Sequence, residues 1–476
     1  MRVLVVEDDQ NYLATVVEAL LEAVVGVEIV TARSRESAFI HLATAPFDLV
    51  ICDLKLPTQD GALDEDVQHG LAVHGRCRET APGTPLLILT AFGTLDLIPP
   101  LLTDSPREDF FGNGRPVAIT DFVQKGKFDD FVAKAGHFGR QLAQLQDIEV
   151  VIEPPARDAP DAAKRILRIL ARRNRGRQVR VREFSGGLSS AETVRVQILD
   201  GNGATTVLAV GKLGKLDTLE SEKSRYQQYV APLLQPGSFA PRLDEVRAGA
   251  GDSGGLFYSL ADDFDRSLFE VLASDPRAGA GSVAAVRALE RRWLDSAQRR
   301  TRRVGDVRSG FVGNSALEVH REALERMGGS RFEERDVTVN ECCQHRDLHG
   351  LNVLVGRDGR HLLIDYGEVG VSAASHDPVS LELCLLFHPQ GRAIVGAWPS
   401  PDQARRWANL DEYVSECLVA DFVRACRGWA RDVSAGSREV CVHAYSYALR
   451  QLKYADSDSR VALALAAAAI EAFERA

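Results

Sequence analysis

Four apolar runs, each ending in a polar or charged side chain, leave this chain few folds to choose from. Arg2-Val3-Leu4-Val5-Val6 is almost continuously hydrophobic, as a strand buried on both faces must be, and Glu7-Asp8-Asp9 follows it directly. Phe47-Asp48-Leu49-Val50-Ile51-Cys52 ends in Asp53, Pro85-Leu86-Leu87-Ile88-Leu89 ends in Thr90, and Val117-Ala118-Ile119-Thr120-Asp121-Phe122-Val123 runs into Lys125. Helical stretches alternate with these runs, which predicts a doubly wound parallel sheet. The four polar endings then share the carboxyl edge of that sheet, the edge where open α/β sheets take their ligands.

Three acids at one strand tip repel one another. Carboxylates gathered beside a hydroxyl and a lysine can hold Mg²⁺, and one of them can accept a phosphoryl group. Asp53 is the expected acceptor. Asp8 and Asp9, with Asp53 itself, are the expected metal ligands, Thr90 is expected to bond a phosphoryl oxygen, and Lys125 to pair with the phosphate. The plainer alternative is an unspecialised flavodoxin-like domain whose acids cap loops, but the separate strand ends and the spacing to Pro57 agree against it. The arrangement resembles the receiver domain of bacterial two-component response regulators over residues 1–146, and Phe122 matches that family's switch aromatic. The resemblance implies a sensor histidine kinase or phosphotransfer protein as phosphoryl donor. Three departures mark this chain: an acidic loop at residues 58–67 before a helix expected near His69, a long insertion at residues 95–115, and Gly126 where the family has a proline.

A second chemistry is written near the middle of the chain. His345-Arg346-Asp347-Leu348-His349-Gly350-Leu351-Asn352 precedes an apolar strand, Val353-Leu354-Val355, and Leu362-Leu363-Ile364 returns after the turn Gly356-Arg357-Asp358-Gly359, delivering Asp365. Phosphoryl transfer needs metal on the phosphates and a carboxylate to orient the attacking hydroxyl. Asp347 can be that carboxylate, and Asn352 and Asp365 can offer oxygens to Mg²⁺. Alternatively, Asp347 and Asp365 merely cap turns. The whole constellation resembles the catalytic and metal loops of the protein-kinase-like superfamily, and His349 is similar to the aminoglycoside/choline phosphotransferase branch. The resemblance implies a two-lobed α+β domain that uses ATP and Mg²⁺.

A smaller lobe should then come first. Gly186 and Gly187, with Ser189, sit in a turn before the strand-like Thr193-Val194-Arg195-Val196-Gln197-Ile198, where glycine lets backbone amides approach a phosphate, although Gly-Gly between strands is also an ordinary hairpin turn. Lys212 ends the next strand and resembles the family's phosphate-anchoring lysine. Glu222, on a helix expected from about Leu216 to Val230, is its expected partner; a solvated surface glutamate and Glu220 are the alternatives. Leu256 to Ala261 is expected to form the hinge. Asp377, ahead of an apolar helical run, is expected to cap that helix, and it also resembles the acid that braces the catalytic loop.

The domain plan is therefore residues 1–146 for the receiver-like part, 147–165 for a proline-rich linker, and 166–476 for the kinase-like part, with its small lobe at about 166–261 and a large helical lobe at about 262–476. A chain of 476 residues suits that plan. The net charge of −10 and the lack of a basic recognition helix argue against DNA binding, and the arginine-rich stretch 165–182 is read mainly as a solvated helix. Eight cysteines without paired metal spacing imply a reducing, cytoplasmic setting; the first residues are expected to form a core strand rather than a secretory leader, and no apolar run reaches membrane-spanning length. The expected function is a phosphorelay response regulator whose Asp53 controls an ATP-dependent phosphotransferase output acting on an unknown protein or small molecule. The alternative is a module that binds nucleotide or a partner without turnover. A homodimer is compatible with either.

Overall fold

The computed structural model describes residues 1–90, 105–154, 158–183, 192–261 and 264–476. They form two compact units, one of residues 1–220 and 242–259, the other of residues 221–241 and 260–476.

In the first unit, β1 (Arg2–Val6), β2 (Glu28–Ala32), β3 (Leu49–Asp53) and β4 (Leu86–Thr90) join a fifth parallel strand. The insertion after β4 supplies a two-stranded ribbon, β5 (Arg107–Glu108) with β6 (Val117–Ala118), and β7 (Thr120–Gln124) completes the sheet in the order β2-β1-β3-β4-β7. Side chains alternate across it. Leu4, Val6, Val50, Cys52, Leu86 and Ile88 pack on one face with Ala38, Leu42, Val73 and Cys77 from two helices. Val3, Val5, Leu49, Ile51, Leu87 and Leu89 pack on the other with Val16, Leu20, Phe131 and Ala135. Burial on both sides is why these strands are apolar throughout. The third helix runs Val67–Thr80, two residues earlier than His69, because Asp66 caps it by accepting from the Gln68 N–H at 2.8 Å.

The second sheet of this unit has six strands, β8 (Glu149–Ile152), β9 (Gln178–Glu183), β10 (Glu192–Leu199), β11 (Thr205–Lys215), β12 (Arg242–Val246) and β13 (Ser253–Ser259), in the order β12-β13-β11-β10-β9-β8. It is antiparallel except where β8 runs parallel to β9. Thus residues 149–152, expected in a linker, are an edge strand, and Asp161–Arg173 is a helix rather than the end of a tether.

One core joins the two sheets. Phe110 and Phe111 from the insertion, and Leu142, Leu145 and Ile148 from the end of the Phe128–Gln146 helix, pack with Ile166, Leu167, Ile169 and Leu170 and with Val179, Val196 and Phe257. The arginines of the Asp161–Arg173 helix are not simply solvated. Arg165 pairs with Asp48, Arg172 donates to Gln141 and Gln144 at 3.0 and 2.7 Å, and Arg173 bonds Asp244 at 2.9 Å and the Asp109 carbonyl at 3.3 Å. Gly83 exchanges backbone bonds with Gly251 and Gly249 at 2.8 and 2.9 Å, and a Cβ on Gly83 would lie 2.7 Å from the Arg247 carbonyl oxygen.

In the second unit, β14 (Phe264–Ser267), β17 (Val353–Gly356) and β18 (His361–Leu363) form one sheet; β15 (Gln298–Arg303), β16 (Asp336–Gln344) and β19 (Gly370–Ala373) form another. The rest is helical. The His376–Phe387 helix is buried at every residue, and the Ala420–Val433, Ser437–Gln451 and Ser459–Arg475 helices surround it or one another. Inside this bundle Arg427 forms a buried ion pair with Glu382 at 2.6 and 2.8 Å while lying 3.9 Å over the Trp407 ring. All eight cysteines are buried and reduced, and no described helix is long and apolar enough to cross a membrane.

The joined core yields a test at Gly112, whose φ is +65° and whose added Cβ would stand 2.4 Å from the Ile169 carbonyl oxygen. Gly112→Ala is expected to cost about 1–3 kcal/mol. Hydrogen exchange should show protection falling both in the Phe128–Gln146 helix and in β9–β11; loss confined to one of them would contradict a shared core.

Candidate functional site

At the carboxyl edge of the first sheet, Glu7, Asp8 and Asp53 each place a carboxylate oxygen within 4.8 Å of the others. The Lys125 ammonium lies among them, 2.8 Å from Asp53 Oδ2 and 2.8 Å from Glu7 Oε2, and 4.6 Å from the centre of the Tyr12 ring. Asp9, expected as a metal ligand, is not in this cluster. Its carboxylate caps the Gln10–Ala23 helix, accepting from the Asn11 and Tyr12 amides at 2.8 and 3.1 Å, and Glu7 takes the place assigned to it. The local reason is that the amides at a helix N-terminus compete for the last acid of the triplet.

Glu7 is fully buried, and its pKa is raised to about 7. Burial is the chief cause and repulsion by Asp53 adds to it, while Lys125 pulls the other way. Three carboxylates facing one ammonium leave net negative charge among hard oxygens, which suits Mg²⁺. Thr90 ends β4, is fully buried, and accepts from the Lys125 amide at 2.8 Å through its carbonyl. Phe122 lies on β7, half-buried against the core face that carries Cys52 and Ile88.

The second unit carries the other set. Asn352 leads into the β17–β18 hairpin, in which Val353 pairs with Leu363 and Val355 with His361, and the turn closes with Gly356 N–H to the Arg360 carbonyl at 2.8 Å. Asn352 is bonded across the hairpin, accepting from the Ile364 amide at 3.1 Å through its carbonyl, and its side-chain NH₂ donates to the Asp347 carbonyl at 2.8 Å. Among the described residues no hydrogen bond engages the Asn352 side-chain oxygen, which could therefore face a cation. Asp365 follows the hairpin with a left-handed φ of 63°, as does Arg346 with φ of 66°, both non-glycine residues held in a sparsely populated conformation. Such strain is sustained by the surroundings. Asp377 supplies part of it: its carboxylate accepts from the His345 and Arg346 amides at 2.5 and 2.8 Å. Asp377 is therefore not the cap of its own helix, whose N-cap is Ser375 without a side-chain bond, but a brace for the loop.

Arg450, on the Ser437–Gln451 helix, donates to Asp347 Oδ1 at 2.9 Å. Burial alone would raise the Asp347 pKa, but Arg450 and then His349 overcome it and hold the carboxyl well below the usual range. The His349 ring is 3.7 Å from Asp347 and stacks on His388, ring centres 5.1 Å apart. Neither Glu7 nor Arg450 was expected from sequence. Glu7 had a signal in the acid triplet, whereas Arg450 is 103 residues from Asp347 and looks like any helical arginine.

Of the small-lobe residues, Lys212 lies on β11 opposite Thr193 and Leu256 and is 6 % exposed; Glu222, on the Leu216–Arg225 helix, is 2 % exposed and thus not a solvated surface acid. Lys212 and Glu222 belong to different units. Gly186, Gly187 and Ser189 lie outside the described residues.

Residues 3–103 match the response regulator receiver domain family. The N-terminal part of this chain is a receiver domain. Over 167 residues it is 28% identical to the response regulator protein FleR of Pseudomonas aeruginosa, an alignment covering 35% of this chain and 31% of FleR, so the chain spans about a third of that relative's length. The receiver domain of Francisella response regulator 1452 is 19% identical over 30% of this chain and 98% of its own, with a TM-score of 0.22. The C-terminal region resembles aminoglycoside phosphotransferase APH(4)-Ia, 11% identical over 61% of this chain and 93% of that one, with a TM-score of 0.36.

The receiver's acid cluster carries a pH dependence with a defined sign. A carboxyl raised to about 7 keeps its proton below that pH, and a metal must displace it. The apparent affinity for Mg²⁺ should therefore rise from about pH 6 to about pH 8, and the rise should flatten in Glu7→Gln. Titration of Mg²⁺ against intrinsic or probe fluorescence across that range checks it; equal slopes in the two proteins would remove Glu7 from the site.

Proposed function

We propose that this chain is a cytoplasmic phosphorelay response regulator in which phosphorylation of Asp53 controls an ATP-dependent, kinase-like phosphotransferase. A sensor histidine kinase or phosphotransfer protein supplies the phosphoryl group to the receiver. An Asp53 carboxylate oxygen forms the new bond to phosphorus as the bond to the donor's imidazole nitrogen breaks; Lys125 pairs with the added charge, and Thr90 offers its hydroxyl to a phosphoryl oxygen. Glu7 and Asp8, with Asp53, would hold Mg²⁺, which offsets negative charge on the incoming group.

For the output, the observation that carries the reading is the braced loop and hairpin that bring Asp347, Asn352 and Asp365 into one local structure, with Asp377 bonded to the loop's amides. Asp347 takes the proton of an acceptor hydroxyl while that oxygen bonds to the γ-phosphorus and ADP departs. Asn352 and Asp365 would hold Mg²⁺, and Lys212 and Glu222, with Gly186, Gly187 and Ser189, are the residues we assign to the nucleotide.

One observation favours the alternative, binding without turnover: Asp347 is already engaged by Arg450, which lowers its basicity. The two readings part in an assay of Mg²⁺-ATP consumption and acceptor phosphorylation by the full chain, with and without a small-molecule phosphoryl donor for the receiver. Asp347→Asn is expected to lower turnover by about 10²- to 10⁴-fold with ATP binding retained. Asp53→Asn is expected to abolish the response to the donor. Turnover that survives Asp347→Asn unchanged would sink the enzyme reading, and a donor response that survives Asp53→Asn would sink the control.

A further inference from the structure

The surroundings of Asp347 carry a statement about the acceptor, one that rests on the phosphotransferase reading. Arginine presents five N–H donors in a planar fork, suited to a carboxylate or phosphate. Arg450 uses one of its side-chain nitrogens, Nη2, on Asp347; no other side-chain hydrogen bond of Arg450 occurs among the described residues, and its side chain is 22% exposed. Its position is held by the inner Ser437–Gln451 helix, where Tyr447 lies one turn earlier.

Beside Asp347 stand stacked imidazole and aromatic rings. His349 stacks on His388, and His388 stacks on Phe269 with ring centres 4.9 Å apart. Burial, then His349, pushes His388 down to about 3, so this wall is uncharged at ordinary pH. Arg392, one helical turn beyond His388, bonds the Asp456 carbonyl at 2.8 Å and lies 3.7 Å from its carboxylate. Asp347 itself is neutralised by Arg450, and Asp365 is committed by the reading above to metal. A polycationic acceptor needs carboxylates to replace its lost hydration, and the acids here are already taken. An anionic acceptor meets a guanidinium with donors to spare.

We propose that the acceptor is a small hydroxylated anion, carrying a carboxylate or phosphate near its hydroxyl, and that Arg450 binds the anionic group while Asp347 receives the hydroxyl proton. In the resting protein Asp347 occupies one donor of the Arg450 fork. The incoming anion takes the remaining donors of the guanidinium. The acceptor oxygen bonds to the γ-phosphorus, the bond to ADP breaks, and the proton passes to Asp347.

The test uses the full chain with Mg²⁺-ATP and equal concentrations of glycerate and glycerol 3-phosphate as anionic probes, glycerol as the neutral one, and choline and kanamycin as cationic ones. ADP release and ³¹P NMR of the products are followed. Transfer to an anionic probe is expected, with Arg450→Gln raising KM for that probe about 10- to 100-fold and Arg450→Lys recovering part of the loss, while KM for ATP changes little. Transfer to glycerol, choline or kanamycin but not to the anions would overturn the inference and leave the phosphotransferase reading standing. So would an anion KM indifferent to Arg450→Gln. Absence of ATP consumption with every probe would overturn the reading itself, and the inference with it.

Discussion

A single apolar core shared by two sheets is the constraint on which the first unit depends. The parallel sheet could close its own faces with its own helices, and it does so on both sides. The six-stranded sheet cannot. One of its faces is covered by the Asp161–Arg173 helix, and that helix packs in turn against Phe110, Phe111, Leu142 and Leu145, residues contributed by the receiver and its insertion. Burying an aromatic or leucine side chain contributes roughly 1.5–3 kcal/mol, so several such residues outweigh any surface contact at the junction. The receiver is thereby part of the small sheet's foundation rather than a bead on a tether, and a change within it can reach β9–β13 through packed side chains.

Charge is handled in a common way at the two candidate sites. In each, a carboxylate that could do chemistry is held by a cation on a distant segment: Asp53 by Lys125, and Asp347 by Arg450. In each, a further buried acid is uncomfortable. Glu7 is pushed up by burial and by Asp53, and Asp377 is pushed up by burial although His345 and two backbone amides oppose it. Behind Asp377, Glu290 is fully buried and raised well above its ordinary value, first by burial and then by Asp377. Acids kept in such settings favour arrangements that supply positive charge or a proton, which is what ligand binding and proton transfer require.

Much of this was legible without coordinates where the determining interactions are local. The apolar strands with polar ends announce a parallel sheet because burial on both faces demands continuous hydrophobicity. The hairpin between Asn352 and Asp365 announces itself through two apolar runs and a glycine-containing turn, and it sets those two residues near one another whatever the rest of the chain does. Less was legible where two local rules compete. Asp9 could cap a helix or join the acid cluster, and the helix amides won. Asp377 could cap its own helix or brace a loop, and the loop amides won. Residues 149–152 carried too little pattern to be distinguished from a linker, and they became a strand only because β9 offered an edge.

By itself, the sequence determined the parallel sheet, the acids and lysine at its carboxyl edge, and the strand-and-turn unit bearing Asp347, Asn352 and Asp365, since periodicity and turn chemistry act over a few residues. Tertiary structure alone decided that Glu7 meets Asp53, that the arginines of residues 165–173 bind rather than face water, and that Arg450 reaches Asp347 across 103 residues. The reason is physical. A guanidinium or carboxylate reads the same in any exposed helix, and its partner is chosen only when packed elements fix which charges share a low-dielectric space.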